Sequence, residues 1–308
     1  MNGQNVWGWK VAAYLFASGT GAGAYAVGLA AQRLGSDWSS VAGTGLLLGP
    51  ALVAPAALLL IWDLGRPAGF LRAGRRPASS WISRGVVILC GFILVGGLHA
   101  ALSVWPWGRP APPDSLTLVL SAVGGLLALL TTLYTGLLLG AIRPIPFWST
   151  PVLPLLFLVS SLSTGIMAVD LTLTLWQGVT GPSLSDALGG MRRADLLFLA
   201  LEAVVIACYL RLTHATQASR ASIQLLTRGA LAVRFWAGVV AAGLVVPFLI
   251  QLLEVTSAVP SAGGLSLLSS VAGLFGGLLL RHVVVAGGVR EPLSAAGILL
   301  TLPGRARV

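Results

Sequence analysis

The chain is poor in acids, cysteine and histidine: nine Asp and Glu, two Cys and three His in 308 residues. Each shortage excludes some chemistry. Cys90 and Cys208 stand alone, each in the middle of an apolar stretch. They cannot supply the four thiolates of an iron–sulfur cluster and give no disulfide framework, so both read as small buried hydrophobes. Bis-histidine haem ligation needs two histidines at matching depth, and only His214 and His282 qualify. They fall close to the headgroups, where a haem is poorly buried, so the expectation is no haem and no metal in this chain. Metal motifs of the H-E-x-x-H kind, nucleophile elbows and phosphate loops are also missing. Such a chain does not catalyse alone and cannot carry electrons over a distance by itself.

Long apolar runs are abundant. Hydrophobic residues make up 56% of the chain and charged ones 9%, so most of it must face lipid or other membrane helices. A hydrocarbon core about 30 Å thick takes about 20 helical residues. Hydropathy at that length predicts eight spans, at about 8–32, 42–63, 81–104, 115–141, 150–176, 194–214, 233–257 and 262–286. Strand alternation is absent, and runs such as Leu126 to Leu139 are too continuous for a membrane barrel. The predicted fold is all-α, a polytopic bundle in one integral membrane domain over residues 1–308. Only Lys10 precedes a first apolar run of more than twenty residues, which does not read as a cleaved leader.

The net charge of +10 follows membrane side. With eight spans both termini share one face, and of the 19 Lys and Arg only Arg33, Arg109, Arg192 and Arg193 fall on the opposite one. That bias predicts cytoplasmic termini and a multi-pass protein of a bacterial or archaeal inner membrane, with no nucleic-acid partner. Nine tryptophans, including Trp9, Trp62, Trp81, Trp148 and Trp176, fall at span ends and read as an aromatic belt. The glycine run at Gly19, Gly21 and Gly23, like the pairs Gly45 with Gly49, Gly136 with Gly140 and Gly273 with Gly277, reads as helix-packing surface. A dinucleotide loop is excluded there, because no strand precedes the run and its third glycine would sit at Ala24.

Pro50 and Pro55 are expected to break the second span, Pro154 the fifth and Pro247 the seventh. Residues 177–193 read as a long connection, and residues 215–232 as a polar, basic link between two halves. A six-plus-two or four-plus-four division of the bundle fits the spans.

Two sets of polar residues stand out. On the basic face Asp63 ends the second span, with Arg66 placed to turn back and pair with it. Tyr14 and Tyr134 lie at similar shallow depth on antiparallel helices of the same face. Each phenol alone reads as an interface anchor; with Asp63 the two make a headgroup pocket in which a phenol donates a hydrogen bond to a quinone carbonyl. Toward the opposite face His99, Asp170, Glu202 and Glu254 fall in the outer third of their spans, near Asp195. An ionisable group at mid-membrane costs about 3 kcal/mol or more, so this set reads either as hydrogen-bonded structural groups or as a water-lined proton route.

The stretches WGWKVAAYLFASGTGAGAY, IWDLGRPAGFLRAGRRPASSWISRG, LYTGLLLGAIRPIPFW, LPLLFLVSSLSTG and LLLRHVVVAGG resemble, in that order, the polysulfide reductase membrane-subunit family of the NrfD/PsrC type. The DLGRP, SSW and YTG blocks are the most specific. The resemblance implies a quinone-binding anchor (menaquinone or ubiquinone) that exchanges electrons with an iron–sulfur, ferredoxin-like subunit. The third partner it implies is a catalytic molybdopterin subunit. It assigns the quinone site to Tyr14, Asp63, Arg66 and Tyr134, with Tyr14 at a position where relatives can have histidine; Arg84 is expected to shape the pocket rim with Arg66. Many relatives dock exported partners on the outer face, whereas the arginines here imply either an inward-facing catalytic arm, the favoured reading, or arginines that serve docking and break the topology rule. The rival readings are a proton-coupled secondary transporter, with Asp170, Glu202 and Glu254 as coupling sites, and a non-redox structural or proton-translocating anchor.

Overall fold

A computed structural model of the protein describes residues 8–64, 81–104, 114–142, 144–180, 185–214, 216–256, 263–291, 293–295 and 298–300. Eight long helices occupy the eight expected positions: α1 (Trp9–Gln32), α2 (Ser39–Leu64), α3 (Trp81–Val104), α4 (Asp114–Gly140), α5 (Val152–Thr180), α6 (Ser185–Leu212), α8 (Arg234–Val255) and α9 (Gly263–Ala286). A short helix, α7 (Gln217–Thr227), lies between α6 and α8. A two-stranded antiparallel pair, β1 (Leu293–Ala295) and β2 (Ile298–Leu300), follows α9 and leaves the all-α class intact.

Six of the eight long helices are apolar enough to cross a membrane on composition alone. The exceptions have physical reasons. Helix α1 is rich in glycine and alanine and is enclosed by α2, α4, α5 and α9, so it faces helices rather than lipid. Helix α6 carries Asp186, Arg192, Arg193, Asp195, Glu202 and Arg211, of which Arg192, Asp195 and Glu202 are buried.

The helices form two groups of four. Helices α1 to α4 pack in sequence, and α4 closes back onto α1; helices α5, α6, α8 and α9 pack likewise, with α9 closing onto α5. The groups meet where α1 lies against α5 and α9, and where α4 lies against α5. The seam is tight because it is built from small residues. A Cβ on Gly23 would run into the backbone carbonyl of Ser161, and one on Gly19 would meet the Ser161 hydroxyl at 2.5 Å. The other paired glycines also pack helices: Gly45 against Gly28, Gly136 against Pro154, and Gly273 against Met167.

Several expectations are corrected. Helix α2 runs unbroken through Pro50 and Pro55, and Pro154 falls in the first turn of α5, where its missing N–H costs nothing. Pro247 follows a π-helical opening of α8 over Arg234–Val245. Residues 177–193 are not a long connection, because α5 extends to Thr180 and α6 begins at Ser185. Residues 215–232 contain α7 and join two members of one four-helix group; the division between the groups falls after α4 instead. Cys90 and Cys208 are exposed on helix surfaces, since lipid accepts a small thiol as readily as a core does. Trp148 leaves the aromatic belt: it is buried, and its indole N–H donates to the Val284 carbonyl at 2.8 Å. Trp9, Trp38, Trp62, Trp81 and Trp176 lie at helix ends, with Trp9, Trp62, Trp81 and Trp176 exposed; Trp7, Trp105 and Trp107 lie outside the described residues.

Candidate functional site

The basic end of the first helix group collects α1's start, α2's end, α3's start and α4's end. Tyr14 and Tyr134 both point into the core there, and each is almost wholly buried. They belong to one apolar cluster with Val11, Leu15, Val86 and Leu138. Neither phenol has a hydrogen-bond partner, nor does the buried hydroxyl of Ser83 on α3. Gly85, one turn from the start of α3, makes room for Tyr134: a Cβ there would overlap the phenol ring. An orphaned buried hydroxyl costs about 1–3 kcal/mol, so three at one end of a bundle mark unused donors rather than well-paired structure.

The other members of this set stand as follows. Asp63 is the next-to-last residue of α2 and so lies at the same end; Arg66 lies outside the described residues. Arg84 is exposed and its guanidinium stacks on Trp81 at 4.7 Å, at the rim rather than among the phenols. Lys10 stacks on Trp62 at 4.3 Å, a second cation–aromatic pair at this end of the group. Ser83 was missed by sequence reasoning, although it lies in the SSWISRG block that carries part of the resemblance.

The second set divides. His99 belongs to the first helix group and is buried there, its Nδ1 2.7 Å from the Tyr25 hydroxyl and its Nε2 without a partner. It makes no contact with the acids. Asp170, Glu202 and Glu254 line the interior of the second group, joined by Asp195 and by arginines, serines and a glutamine that were not selected. Arg192 reaches Asp170 Oδ1 and Glu254 Oε2, each at 3.4 Å. Ser270 donates to Asp170 at 2.9 Å and Ser266 to Glu254 at 2.7 Å. One turn along α6, Asp195 accepts from Ser163 and from Gln251 Nε2, both at 2.7 Å. Further along, Glu202 faces Ser160 and Arg281.

Arg281 is fully buried, not part of the basic face as its place near the end of α9 suggested. It donates to the Ser160 hydroxyl, to Ser161 Oγ at 3.2 Å and to the Gly277 carbonyl at 3.2 Å, and lies over the Phe157 ring at 5.3 Å. Arg192, counted as a loop arginine, is likewise an interior ion-pair partner. Glu202 therefore lies deeper than the outer third, about 10 Å along the α6 axis from Asp195. The result is a polar column along α5, α6, α8 and α9 that starts at Glu254, Arg192 and Asp170 and ends at Glu202 and Arg281. Its signals in the sequence were the hydroxyls of VSSLSTG and an arginine within LLLRHVVV.

The fold and this interior define an integral membrane helix bundle with buried ionisable groups and no soluble catalytic apparatus among the described residues. Residues 1–291 match the family model described as polysulphide reductase, NrfD, and the protein belongs to that family. It is 29% identical over 304 residues to the C subunit of polysulfide reductase from Wolinella succinogenes, an alignment spanning 92% of the present sequence and 94% of that protein. It is 28% identical over 307 residues to the protein NrfD of Escherichia coli, spanning 92% and 95%.

The orphaned phenols make a contrast that thermal unfolding in detergent can read. Tyr14→Phe and Tyr134→Phe should leave the melting temperature unchanged or raise it, because each removes a buried hydroxyl that bonds to nothing. Tyr209→Phe should lower stability by about 1 kcal/mol or more, because that phenol donates to the Phe147 carbonyl at 2.6 Å.

Proposed function

We propose that residues 1–308 form one membrane domain that anchors an oxidoreductase complex and binds a quinone at the basic end of α1, α3 and α4. The observation that carries this reading is the pair of buried, partnerless phenols of Tyr14 and Tyr134. A quinone headgroup is a flat apolar ring with carbonyl acceptors, and it needs hydrogen-bond donors in an otherwise apolar wall. Tyr14, Tyr134 and Ser83 supply donors, and Val11, Leu15 and Leu138 supply wall. Bound there, a quinone takes up or releases two electrons and two protons. The phenols orient its carbonyls, Asp63 at the end of α2 holds or exchanges a proton, and Arg66 and Arg84 shape the rim.

Electrons come from or go to a docked iron–sulfur, ferredoxin-like subunit that is paired with a catalytic molybdopterin subunit. The Wolinella relative is named as one lettered subunit of polysulfide reductase, and such a name places a membrane protein inside a multi-subunit enzyme. The arginine bias supports a docking face and both termini on the cytoplasmic side of a bacterial or archaeal inner membrane. A phosphatase reporter at the C-terminus should then be inactive and a fluorescent one bright; the reverse pattern would invert the assignment.

The polar column is a proton route in the second helix group, driven by events at the quinone. Continuity supports this: acids, arginines and hydroxyls succeed one another along α5 and α6 from Glu254 to Glu202. His99 with Tyr25 forms a separate buried pair that serves as a proton-exchange point of the first group.

In the assembled complex, Tyr134→Phe should lower quinone-linked turnover about tenfold, the loss of one well-placed hydrogen bond of about 1.4 kcal/mol. Unchanged turnover would remove Tyr134 from the site. In proteoliposomes, Glu202→Gln should lower protons released per electron more than it lowers electron transfer; equal loss, or none, would count against the route.

A further inference from the structure

Among the buried acids Asp195 is distinguished by its company. Asp170 and Glu254 share Arg192, and Glu202 has Arg281 within electrostatic reach. Asp195, which is fully buried, has only neutral donors: the Ser163 hydroxyl on Oδ1 and the Gln251 amide on Oδ2. Charged groups surround it without touching it. Asp170 faces it from α5, Arg192 and Glu202 share its own helix, and Glu254 lies beyond Gln251 on α8. A carboxylate taken out of water with no cation beside it is costly, whereas a neutral carboxylic acid is not. Gln251 is fitted to that neutral acid: its Oε1 is buried and has no hydrogen-bond donor, so an amide turned over would accept from an Asp195 O–H.

A cavity is lined by Glu202 and by Ser163, whose hydroxyl donates to Asp195. Its lining also includes Thr164, Gly243, Gly273 and Gly276, and it has space for about one water. Glycines create it, since Gly243 and Gly276 bring α8 and α9 to backbone contact around it. The π-helical part of α8 lines one wall, and such segments recur at functional sites.

We propose that Asp195 is a proton-storage residue that exchanges its proton with Glu202 through the Ser163 hydroxyl and one water in this cavity. The inference rests on the proton-route reading and gives it a resting place and a direction. Asp195 and Glu202 are seven residues apart on α6, hence on one face but about 10 Å apart along the axis, too far for direct transfer. A hydroxyl and a water between them make three hydrogen bonds of about 2.8 Å each, which closes the gap once side-chain length is included. Ser163 already donates to Asp195. The transfer therefore runs as one concerted shift: the Glu202 proton passes to the water, a water proton to the Ser163 oxygen, and the Ser163 proton to Asp195 Oδ1. One O–H bond breaks and one forms at each oxygen between, no electrons move, and the net change is one proton from Glu202 to Asp195.

Infrared spectroscopy of the full-length protein in lipid nanodiscs tests the storage step without quinone or partner subunits. At neutral pH the wild type should show a carboxylic-acid C=O band that moves in deuterated water. Asp195→Asn should abolish it, while Glu202→Gln should retain it. Ser163→Ala, which keeps the charge pattern, should shift the band and slow its deuterium exchange about tenfold. A spectrum unaltered by Asp195→Asn, or a band whose exchange ignores Ser163→Ala, would overturn the proposal. Proton release per electron in the reconstituted complex separates the two readings. If storage is wrong but the route is right, Glu202→Gln lowers the ratio while Asp195→Asn leaves both ratio and spectrum unchanged. If the route is wrong, Glu202→Gln leaves the ratio unchanged although the Asp195 band is present, and the exchange step falls with it.

Discussion

The buried charges of the second helix group are neutralised and bonded by neighbouring side chains, and the group is arranged around that constraint. Arg192 is enclosed and is held between two carboxylates; Arg281 is enclosed and is held by two serine hydroxyls, a helix carbonyl and an aromatic face. Removing a partner from either arginine would strand a charge, at a cost of about 3–5 kcal/mol by comparison with other buried pairs. The polar residues are thus mutually dependent, and their order along α5 and α6 follows from which neighbour can neutralise or bond which. A column formed in this way is continuous because each group needs the next.

Helix α1 serves both helix groups, and the small residues on one of its sides explain how. Its Tyr14 side looks into the first group, where the phenol is buried beside the cluster that includes Tyr134. Its other side presents Phe16, Gly19, Thr20 and Gly23 to α5 and α9. There Phe16 lies within 6.0 Å of the Arg281 guanidinium, and Thr20 donates to Thr164 at 3.1 Å. The phenol pocket and the buried arginine are therefore separated by the thickness of a single helix. A shift of α1 on either side is felt on the other, since the Gly23 and Ser161 backbones are already in contact and leave nothing to absorb it.

The sequence made the helices legible because a bilayer imposes one length and one polarity on every span. Tyr14 and Tyr134 were legible for a related reason: a phenol set a few residues inside an apolar run has a depth, and antiparallel helices put equal depths together. Residues whose role depends on which way a helix face turns were not legible. Asp195 and Arg192 lie on α6 among other charges, and only the packing of α6 against α5 and α8 separates them from the exposed Arg193. Arg281 lies one turn from the end of α9, and that distance alone fits the interface as well as the interior. The cysteines misled because burial in a soluble protein and exposure to lipid demand the same apolar side chain.

The two helix groups differ in what fills them, and the difference supports a division of labour. Between the Tyr14 pocket and the Tyr25–His99 pair the first group is packed with Ala22, Leu89, Phe92 and Ala128, all buried and apolar. Tyr25 itself is wedged among Gly49, Gly96 and Gly124, so its ring leaves little space for water. The buried hydroxyls at these depths, Ser18, Thr131 and Thr132, donate to carbonyls of their own helices. The second group has carboxylates, hydroxyls and a cavity for one water at the corresponding depths. If charge is exchanged in the first group and protons cross in the second, the α1–α5–α9 seam, where glycine, serine and the buried arginine meet, is the contact that lies nearest to both the phenols and the column.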